Sequence, residues 1–220
     1  MDLTESGITV EATNDNRAGL MRFDLSNMRS DAQSFYVIVM SFDTHYNKSS
    51  VTAETSTHAL FSNPVHRYYQ GAGRPAGFSG HHSLHFSQKA KSYGIIQGYN
   101  LVTRATADQS LDGESDRQGP VAVFYEFDRD DQTEVILAAG SSFVSRDKAE
   151  ENLQAELSMT KTNATVRKFN DDIFDFEAVV TRVTQRWDDT LSVVQVADDS
   201  EVFTKITSVR FFIAKCTYTN

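Results

Sequence analysis

The feature that most constrains the fold of this chain is a series of short strand-like runs that continues to Ser142 without helical periodicity between them. Met21, Phe23 and Leu25 alternate with polar residues, which predicts a strand with one buried face. The run 35–40 is apolar throughout and predicts a strand that is buried on both faces. Residues 121–127 alternate again, as a half-buried strand does.

Further strand candidates lie between and after these runs. They cover residues 84–86, 93–96 and 134–139. Clusters of Gly, Asp and Ser at 71–75 and 112–116 predict turns. Regularly spaced strands without intervening helices are typical of a mainly β protein, so we expect an antiparallel β-sandwich.

The hydrophobic period changes after Ser145. Ala149, Leu153 and Leu157 stand four residues apart in a polar segment, which predicts a helix over Arg146–Leu157. The Ser145 hydroxyl is expected to cap this helix.

A second helix is predicted over residues 176–189. Its apolar residues fall on one stripe: Phe176, Val179, Val180, Val183, Trp187 and Leu191. We therefore expect Trp187 to be buried. Residues 191–196 alternate and predict a closing strand.

The charge balance and the apolar runs exclude several classes of partner. Lys and Arg number 21 against 30 Asp and Glu, a net charge of -9, which argues against nucleic acid. No apolar run approaches the roughly 20 residues of a transmembrane helix, so no membrane partner is expected. The single Cys216 excludes an internal disulfide and a cysteine-based zinc site. Residues 1–5 lack the features of a secretory signal, which leaves the compartment open and slightly favours the cytoplasm.

All six histidines lie between His45 and His85, which raises the question of a metal site. On a strand, His81 and His85 share one face with Ser83, while His82 lies on the other face. A zinc site needs three or four converging ligands, which this spacing does not provide. We interpret the histidines as ordinary strand and turn residues and assign no metal ligand.

Acidic pairs such as 150–151 and 188–189 are frequent, and we interpret them as solvated turns and helix faces. Acid/base catalysis needs two carboxyl groups held apart across the scissile bond, which adjacent residues do not provide. No nucleophile motif or phosphate-binding glycine loop is present. No catalytic or cofactor-binding residue is assigned.

The stretch between residues 134 and 193 carries several motifs in a fixed order. They are Glu134-Val135-Ile136-Leu137, Gly140-Ser141-Ser142-Phe143-Val144-Ser145, Ala149, Asn152-Leu153, Glu156, Phe174-Asp175-Phe176-Glu177-Ala178-Val179, Trp187 and Leu191-Ser192-Val193. In order and spacing this stretch resembles the glycoside hydrolase family 92 α-mannosidases, in their N-terminal β-sandwich and the linker after it. Residues 7–11 and 17–23 are similar to an early strand pair of the same sandwich, and the resemblance is closest to fungal members.

The resemblance implies a supersandwich-like antiparallel β-sandwich followed by two linker helices. Family members are inverting, calcium-dependent exo-α-mannosidases that act on mannose-rich glycans in carbohydrate metabolism and N-glycan processing. Their catalytic carboxylates and most of their calcium ligands come from a large (α/α)₆ domain downstream, which this chain does not reach. The resemblance therefore implies no catalytic residue and no calcium ligand here.

The expected organisation is a sandwich domain over 1–142 that is incomplete at its front, a helical linker over 143–197 and a truncated, disordered tail over 198–220. Residues 209–216 depart from the aromatic helix that the family has in the corresponding place. Residues 77–83 are similar to a Gly-Phe-Ser-x-x-His-x-Ser-Gly loop that the family places near its substrate. They follow strands that should come after that loop, so no site residue is carried over.

Three functions compete at this point. The first is an N-terminal fragment of an α-mannosidase-like protein that is inactive alone, with a mannose-rich glycan as its partner and possible self-association through the exposed linker helix. The second is a stand-alone carbohydrate-binding β-sandwich, for which Tyr68, Tyr69 and Trp187 are the candidate sugar-stacking residues. The third is an enzyme of another type that uses the histidine cluster.

Overall fold

The computed structural model describes residues 1–3, 5–41, 49–63, 78–115, 120–129, 133–158 and 171–192. The chain divides into two compact units, Met1–Phe176 and Glu177–Asn220. The predicted tail over 198–220 and the predicted turn at 71–75 lie outside the described residues.

The described residues form twelve β-strands and two α-helices, which confirms the mainly β fold. The strands are Asp2–Leu3 (β1), Ile8–Asp15 (β2), Ala18–Asp24 (β3), Ser34–Met40 (β4), Ser50–Ala53 (β5), His58–Asn63 (β6), Gly80–Phe86 (β7), Ser92–Gln97 (β8), Asn100–Ala105 (β9), Leu111–Glu114 (β10), Val121–Asp128 (β11) and Glu134–Ser142 (β12). The helices are Arg146–Leu157 (α1) and Phe176–Leu191 (α2), and a 3-10 turn, Asp171–Phe174, precedes α2.

The strands make two antiparallel sheets. The large sheet has the order β1-β2-β3-β12-β7-β6-β5-β10, and the small sheet has the order β4-β11-β8-β9. One hydrophobic core holds inward-facing side chains of both sheets. In it the ring of Phe86, from β7, lies 4.6 Å from Tyr125 and 5.2 Å from Phe127, both from β11. This arrangement is the predicted β-sandwich.

In two strands of the small sheet the observed burial is the reverse of what their sequences predict. The apolar strand β4 lies at the sheet edge, where Tyr36 is 55% and Ile38 is 56% exposed. The alternating strand β11 lies between β4 and β8, and its residues from Val121 to Phe127 are all buried. Position in the sheet, which the local pattern does not contain, decides the difference.

Buried polar contacts explain how β11 keeps its outward-facing carboxylate. Glu126 accepts a hydrogen bond from the Ser92 hydroxyl at 2.5 Å and pairs with the Arg104 guanidinium. The Ser92 contact is the largest influence on Glu126, and with the Arg104 charge it lowers the pKa of that carboxyl despite burial.

Two further local predictions are wrong in detail. Of the three residues predicted to be buried, Leu25 is in the core and Phe23 packs against it, but Met21 is 38% exposed. Ala18 and Leu20 are buried on the other face of β3. Residues 111–114, which overlap the predicted turn at 112–116, form β10 and pair with β5. A Cβ on Gly113 would lie 2.9 Å from a methyl of Val121, so a glycine is needed for the strand to fit there.

Helix α1 covers the outer face of the large sheet. The Ser145 hydroxyl accepts a hydrogen bond from the Lys148 backbone N–H at 3.0 Å, so the predicted cap is confirmed. Ala149, Leu153 and Leu157 are fully buried, as their spacing predicts. The residues that α1 covers on β3 and β12 include Ala18, Leu20, Ile136 and Ala138, all of them buried. The sheet therefore has apolar contacts on both faces here.

Gly140 permits the close approach of α1 to β12. A Cβ at this position would lie 2.6 Å from the Leu153 Cβ and would also meet the Ala149 carbonyl oxygen. These contacts are too short for any side chain, because the obstacles include helix backbone.

Helix α2 buries only the beginning of its apolar stripe. Phe176 and Val179 are buried, whereas Trp187 is 46% exposed. The expectation that Trp187 is buried is therefore wrong. Leu191 ends the helix rather than beginning a strand, and the rest of the predicted closing strand, from 193 onward, lies outside the described residues. Among the described residues, no helix is long and apolar enough to cross a membrane.

We expect Gly140→Ala to lower the free energy of unfolding by about 1–3 kcal/mol, because the added methyl forces α1 away from the sheet. Urea denaturation followed by circular dichroism measures the change. Gly80→Ala is the matched control, since the nearest heavy atom to its Cβ would be 3.6 Å away, and we expect a change of at most about 0.5 kcal/mol. Equal unfolding midpoints for the two variants would contradict the close-packing account.

Candidate functional site

A polar cluster lies on the outer face of the large sheet, beside the apolar contact with α1. The strand register places Ala138, His85 and His58 in one cross-strand row on β12, β7 and β6. His85 therefore faces the helix and not the sandwich core. The next row holds Gly140, Ser83 and Leu60. The cluster is thus built by strand pairing between residues far apart in sequence.

The two imidazole rings of this row are stacked. The ring centroids of His58 and His85 lie 3.9 Å apart with an interplanar angle of 20°. The Nδ1 atom of His58 lies 2.9 Å from the Glu54 carboxylate. The backbone of β6 is fixed from the core side, where the Tyr125 hydroxyl donates a hydrogen bond to the His58 carbonyl oxygen at 2.8 Å.

Helix α1 supplies a carboxylate to the same place. Oε2 of Glu150 lies 3.3 Å from Nε2 of His58 and 3.9 Å from Nε2 of His85. The Ser83 hydroxyl lies 3.5 Å from the same oxygen and 3.4 Å from Nε2 of His58. The side chain of Glu150 is 25% exposed, whereas that of its neighbour Glu151 is 64% exposed. The interpretation of the pair 150–151 as solvated is therefore correct only for Glu151.

The environment shifts the protonation of the buried groups. Burial raises the pKa of Glu150, but the interactions with the His58 and His85 imidazoles outweigh it, and the net effect is a pKa well below the usual range. Burial lowers the pKa of His85, with Glu150 acting in the opposite direction. Glu150 is consequently an ionised acceptor at neutral pH.

Arg146, the first residue of α1, fixes the helix to the neighbouring strands. Its guanidinium donates to the hydroxyls of Ser62 at 2.7 Å, Thr52 at 2.9 Å and Ser50 at 2.8 Å, and also to the Ser50 carbonyl oxygen at 3.2 Å. Burial lowers the pKa of Arg146, while Asp112 and Glu54 favour its charged form. These contacts span β5 and β6 and position the start of the helix.

The structure brings together only part of the predicted histidine group. His81, Ser83 and His85 face α1 while His82 faces the core side, as the strand alternation predicts. His81 lies within 3.0 Å of the Ser62 hydroxyl and is not part of the His58–His85 pair. His45 and His66 lie outside the described residues.

Sequence reasoning missed His58 and Glu150. No local motif marks either residue, because their proximity depends on the register between β6 and β7 and on where α1 packs. Even if the pairing of β6 with β7 were assumed, the sequence would not specify which of several registers the two strands adopt, and only one of them places His58 beside His85.

The two carboxylates of the cluster do not form the pair that glycoside hydrolysis requires. Glu54 and Glu150 bind opposite nitrogens of one imidazole ring, so the His58 ring occupies the space between them. An inverting hydrolase needs that space for the glycosidic oxygen and a water molecule. The cluster also does not fit calcium, which prefers six to eight oxygen ligands, whereas two of the three converging groups are imidazoles.

The structure describes the other residues considered from the sequence only in part. Trp187 is on α2, and Tyr68 and Tyr69 lie outside the described residues. Of the loop-like stretch 77–83, Phe78 packs against Phe143 with ring centroids 4.6 Å apart.

Comparisons with known proteins give a family. Residues 1–142 match the model of the glycosyl hydrolase family 92 N-terminal domain. A comparison with curated protein sequences finds no match.

Several solved structures share the fold. The family GH92 inverting mannosidase BT2199 from Bacteroides thetaiotaomicron is 18% identical with a TM-score of 0.61, and the match covers 88% of this chain and 22% of that one. The family GH92 alpha-mannosidase BT3965 from the same organism is 16% identical with a TM-score of 0.62, covering 90% and 24%. The gh92 family glycosyl hydrolase ccman5 is 19% identical with a TM-score of 0.62, covering 93% and 23%. The chain thus spans less than a quarter of each of these proteins.

We expect Arg146→Met to lower the free energy of unfolding by about 1–3 kcal/mol, because it leaves half-buried hydroxyls without their charged donor. Thermal and urea unfolding measure the loss. Lys148→Met is the control on the same helix: it removes an exposed pair with Glu151 that is worth about 0–1 kcal/mol. If both variants lose the same stability, Arg146 does not fix the helix to the sheet.

Proposed function

The chain belongs to glycosyl hydrolase family 92, whose N-terminal domain model it matches over residues 1–142, and on this premise we propose that it is the N-terminal part of an α-mannosidase-like hydrolase. Its substrate class in the whole protein is a mannose-rich N-glycan. We expect no glycoside hydrolysis by these 220 residues, because the resemblance implies that the catalytic carboxylates and most of the calcium ligands of family members come from a large (α/α)₆ domain.

The family match over the whole sandwich carries this proposal. The chain spans less than a quarter of the solved mannosidases that it resembles, which supports its assignment as one part of such a protein. Support for the lack of activity comes from the polar cluster, where the His58 ring separates the Glu54 and Glu150 carboxylates. The fungal character of the resemblance stays a prediction.

We expect the purified chain to release no mannose from a mannose-rich N-glycan, with or without added calcium. The two carboxylates of the polar cluster are separated by the His58 ring and so cannot protonate the leaving oxygen and activate water on either side of a glycosidic bond. Chromatography of released sugars checks this, with a full-length family GH92 mannosidase as the positive control. Turnover that co-purifies with the chain and that Glu150→Gln abolishes would place the catalytic group in the polar cluster and overturn the proposal.

A second candidate function, a stand-alone carbohydrate-binding module, is favoured by one observation. The indole of Trp187 is 46% exposed, and an exposed aromatic face on a rigid helix can stack on a sugar ring. The same half-exposed side chain supports self-association through α2, which stays a prediction.

If the chain is such a module, Trp187→Ala is expected to weaken glycan binding at least tenfold, because the stacking surface is lost. A glycan array followed by titration of the best ligand measures the effect. Tyr99→Ala, which removes an aromatic side chain 73% exposed in a turn of the sandwich, is the matched control. An array with no ligand, or equal affinities for both variants, would reject the module function.

A further inference from the structure

The cluster of His58, His85 and Glu150 has no role in the proposed function, yet its potential metal-ligating atoms all lie within 4.8 Å of one another. We propose that these three side chains bind a divalent transition-metal ion of the zinc class through Nε2 of each histidine and a carboxylate oxygen of Glu150. The ion joins α1 to strands β6 and β7. This inference does not depend on the mannosidase assignment.

The distances are close to those of a tetrahedral site. Bonds of about 2.0–2.1 Å at tetrahedral angles place neighbouring ligand atoms roughly 3.3 Å apart. Nε2 of His58 and Oε2 of Glu150 are already 3.3 Å apart, and Nε2 of His85 is 3.9 Å from the same oxygen. Because the two rings are stacked with an interplanar angle of 20°, binding also requires the His85 ring to rotate until its Nε2 lone pair converges on the ion with that of His58.

The surroundings of His58 are those of a metal ligand. Its Nδ1 lies 2.9 Å from Glu54, the carboxylate–histidine arrangement that fixes the ring and leaves the other nitrogen as the donor to the metal. Nε2 then lies on the side of the ring that faces the Glu150 carboxylate, 3.3 Å away, where the negative charge of that carboxylate also favours a cation.

A protonated His58 between two carboxylates is the competing account of the same geometry. It explains the contacts of His58 with Glu54 and Glu150 but not why Nε2 of His85 lies 3.9 Å from the same Glu150 oxygen, which is longer than a hydrogen bond. The metal account uses all three groups. The donor set of two imidazoles and one carboxylate suits zinc, cobalt or nickel and does not suit calcium or magnesium.

The fold presents the ligands rigidly. His58 and His85 are paired residues of adjacent strands, and Glu150 lies on a helix held by Arg146 and by the close contact at Gly140. The Ser83 hydroxyl lies within 3.5 Å of the His58 and Glu150 ligand atoms, so it is placed to hydrogen-bond a water molecule that serves as the fourth ligand. The site is placed to hold α1 on the sheet and thereby stabilise the fold.

The test is titration of the EDTA-treated full chain with Zn²⁺ by calorimetry and with Co²⁺ by visible absorption. We expect one ion per chain, an intense tetrahedral cobalt spectrum and a rise of several degrees in Tm with zinc. Millimolar Ca²⁺ should leave the cobalt spectrum unchanged. Absence of one-to-one binding, or a spectrum typical of six oxygen ligands, overturns the proposal.

Variants separate this site from adventitious binding by surface histidines. We expect His85→Gln and Glu150→Gln to weaken zinc binding more than 100-fold, and Glu54→Gln to weaken it about 10–100-fold as a residue that positions His58. His81→Gln on the same strand and Glu151→Gln on the same helix are matched controls that should bind zinc as the unmodified chain does. Unchanged affinity in His85→Gln, or equal loss in His81→Gln, overturns the assignment.

A measurement on the unmodified chain covers the case in which a ligand variant fails to fold. X-ray absorption of the zinc-loaded chain is expected to show two imidazole nitrogens in a four-coordinate shell with bonds of about 2.0–2.1 Å. A shell with no imidazole, or with one only, rejects the site. A chain that binds no metal and is stabilised equally by protonation supports the bridging imidazolium account instead.

Discussion

The packing of α1 against the outer face of the large sheet is the contact on which much of the rest depends. It buries Leu153 and Leu157 of the helix against β3 and β12, which already cover the sandwich core on their other face. The approach is close enough that only glycine is possible at position 140. Because Arg146 and Glu150 lie in the first turns of the helix, the same packing places the guanidinium beside Ser62 and the carboxylate beside His58 on the sheet.

The outer face of the sheet is consequently divided into an apolar half and a polar half under one helix. Burying a charge between a helix and a sheet is costly unless it is paired. Arg146 meets this requirement with hydroxyls, and Glu150 meets it with the imidazoles of His58 and His85. A bound zinc-class ion would replace part of this pairing with coordination bonds. In both cases the cluster serves the attachment of α1 to the sheet.

Family membership and local chemistry therefore concern different parts of the chain. The match to family 92 rests on the sandwich over residues 1–142, whereas the polar cluster needs Glu150 from the helix that follows it. Fold similarity at 16–19% identity does not carry the activity of the solved mannosidases onto this chain. The proposed metal site and the proposed mannosidase assignment are compatible, since each depends on different residues.

The sequence by itself determined the β-sandwich, the bounds of α1, the Ser145 cap and the separation of His81 and His85 from His82, because these follow from periods and spacings of a few residues. It also carried the family resemblance in the motifs around Gly140. Only the tertiary structure decided that β4 is an edge strand and β11 a central one, and that Trp187 is half-exposed. It alone brought His58, His85 and Glu150 together. The physical reason is that sheet order, strand register and helix placement are set by long-range packing, which no local pattern of residues contains.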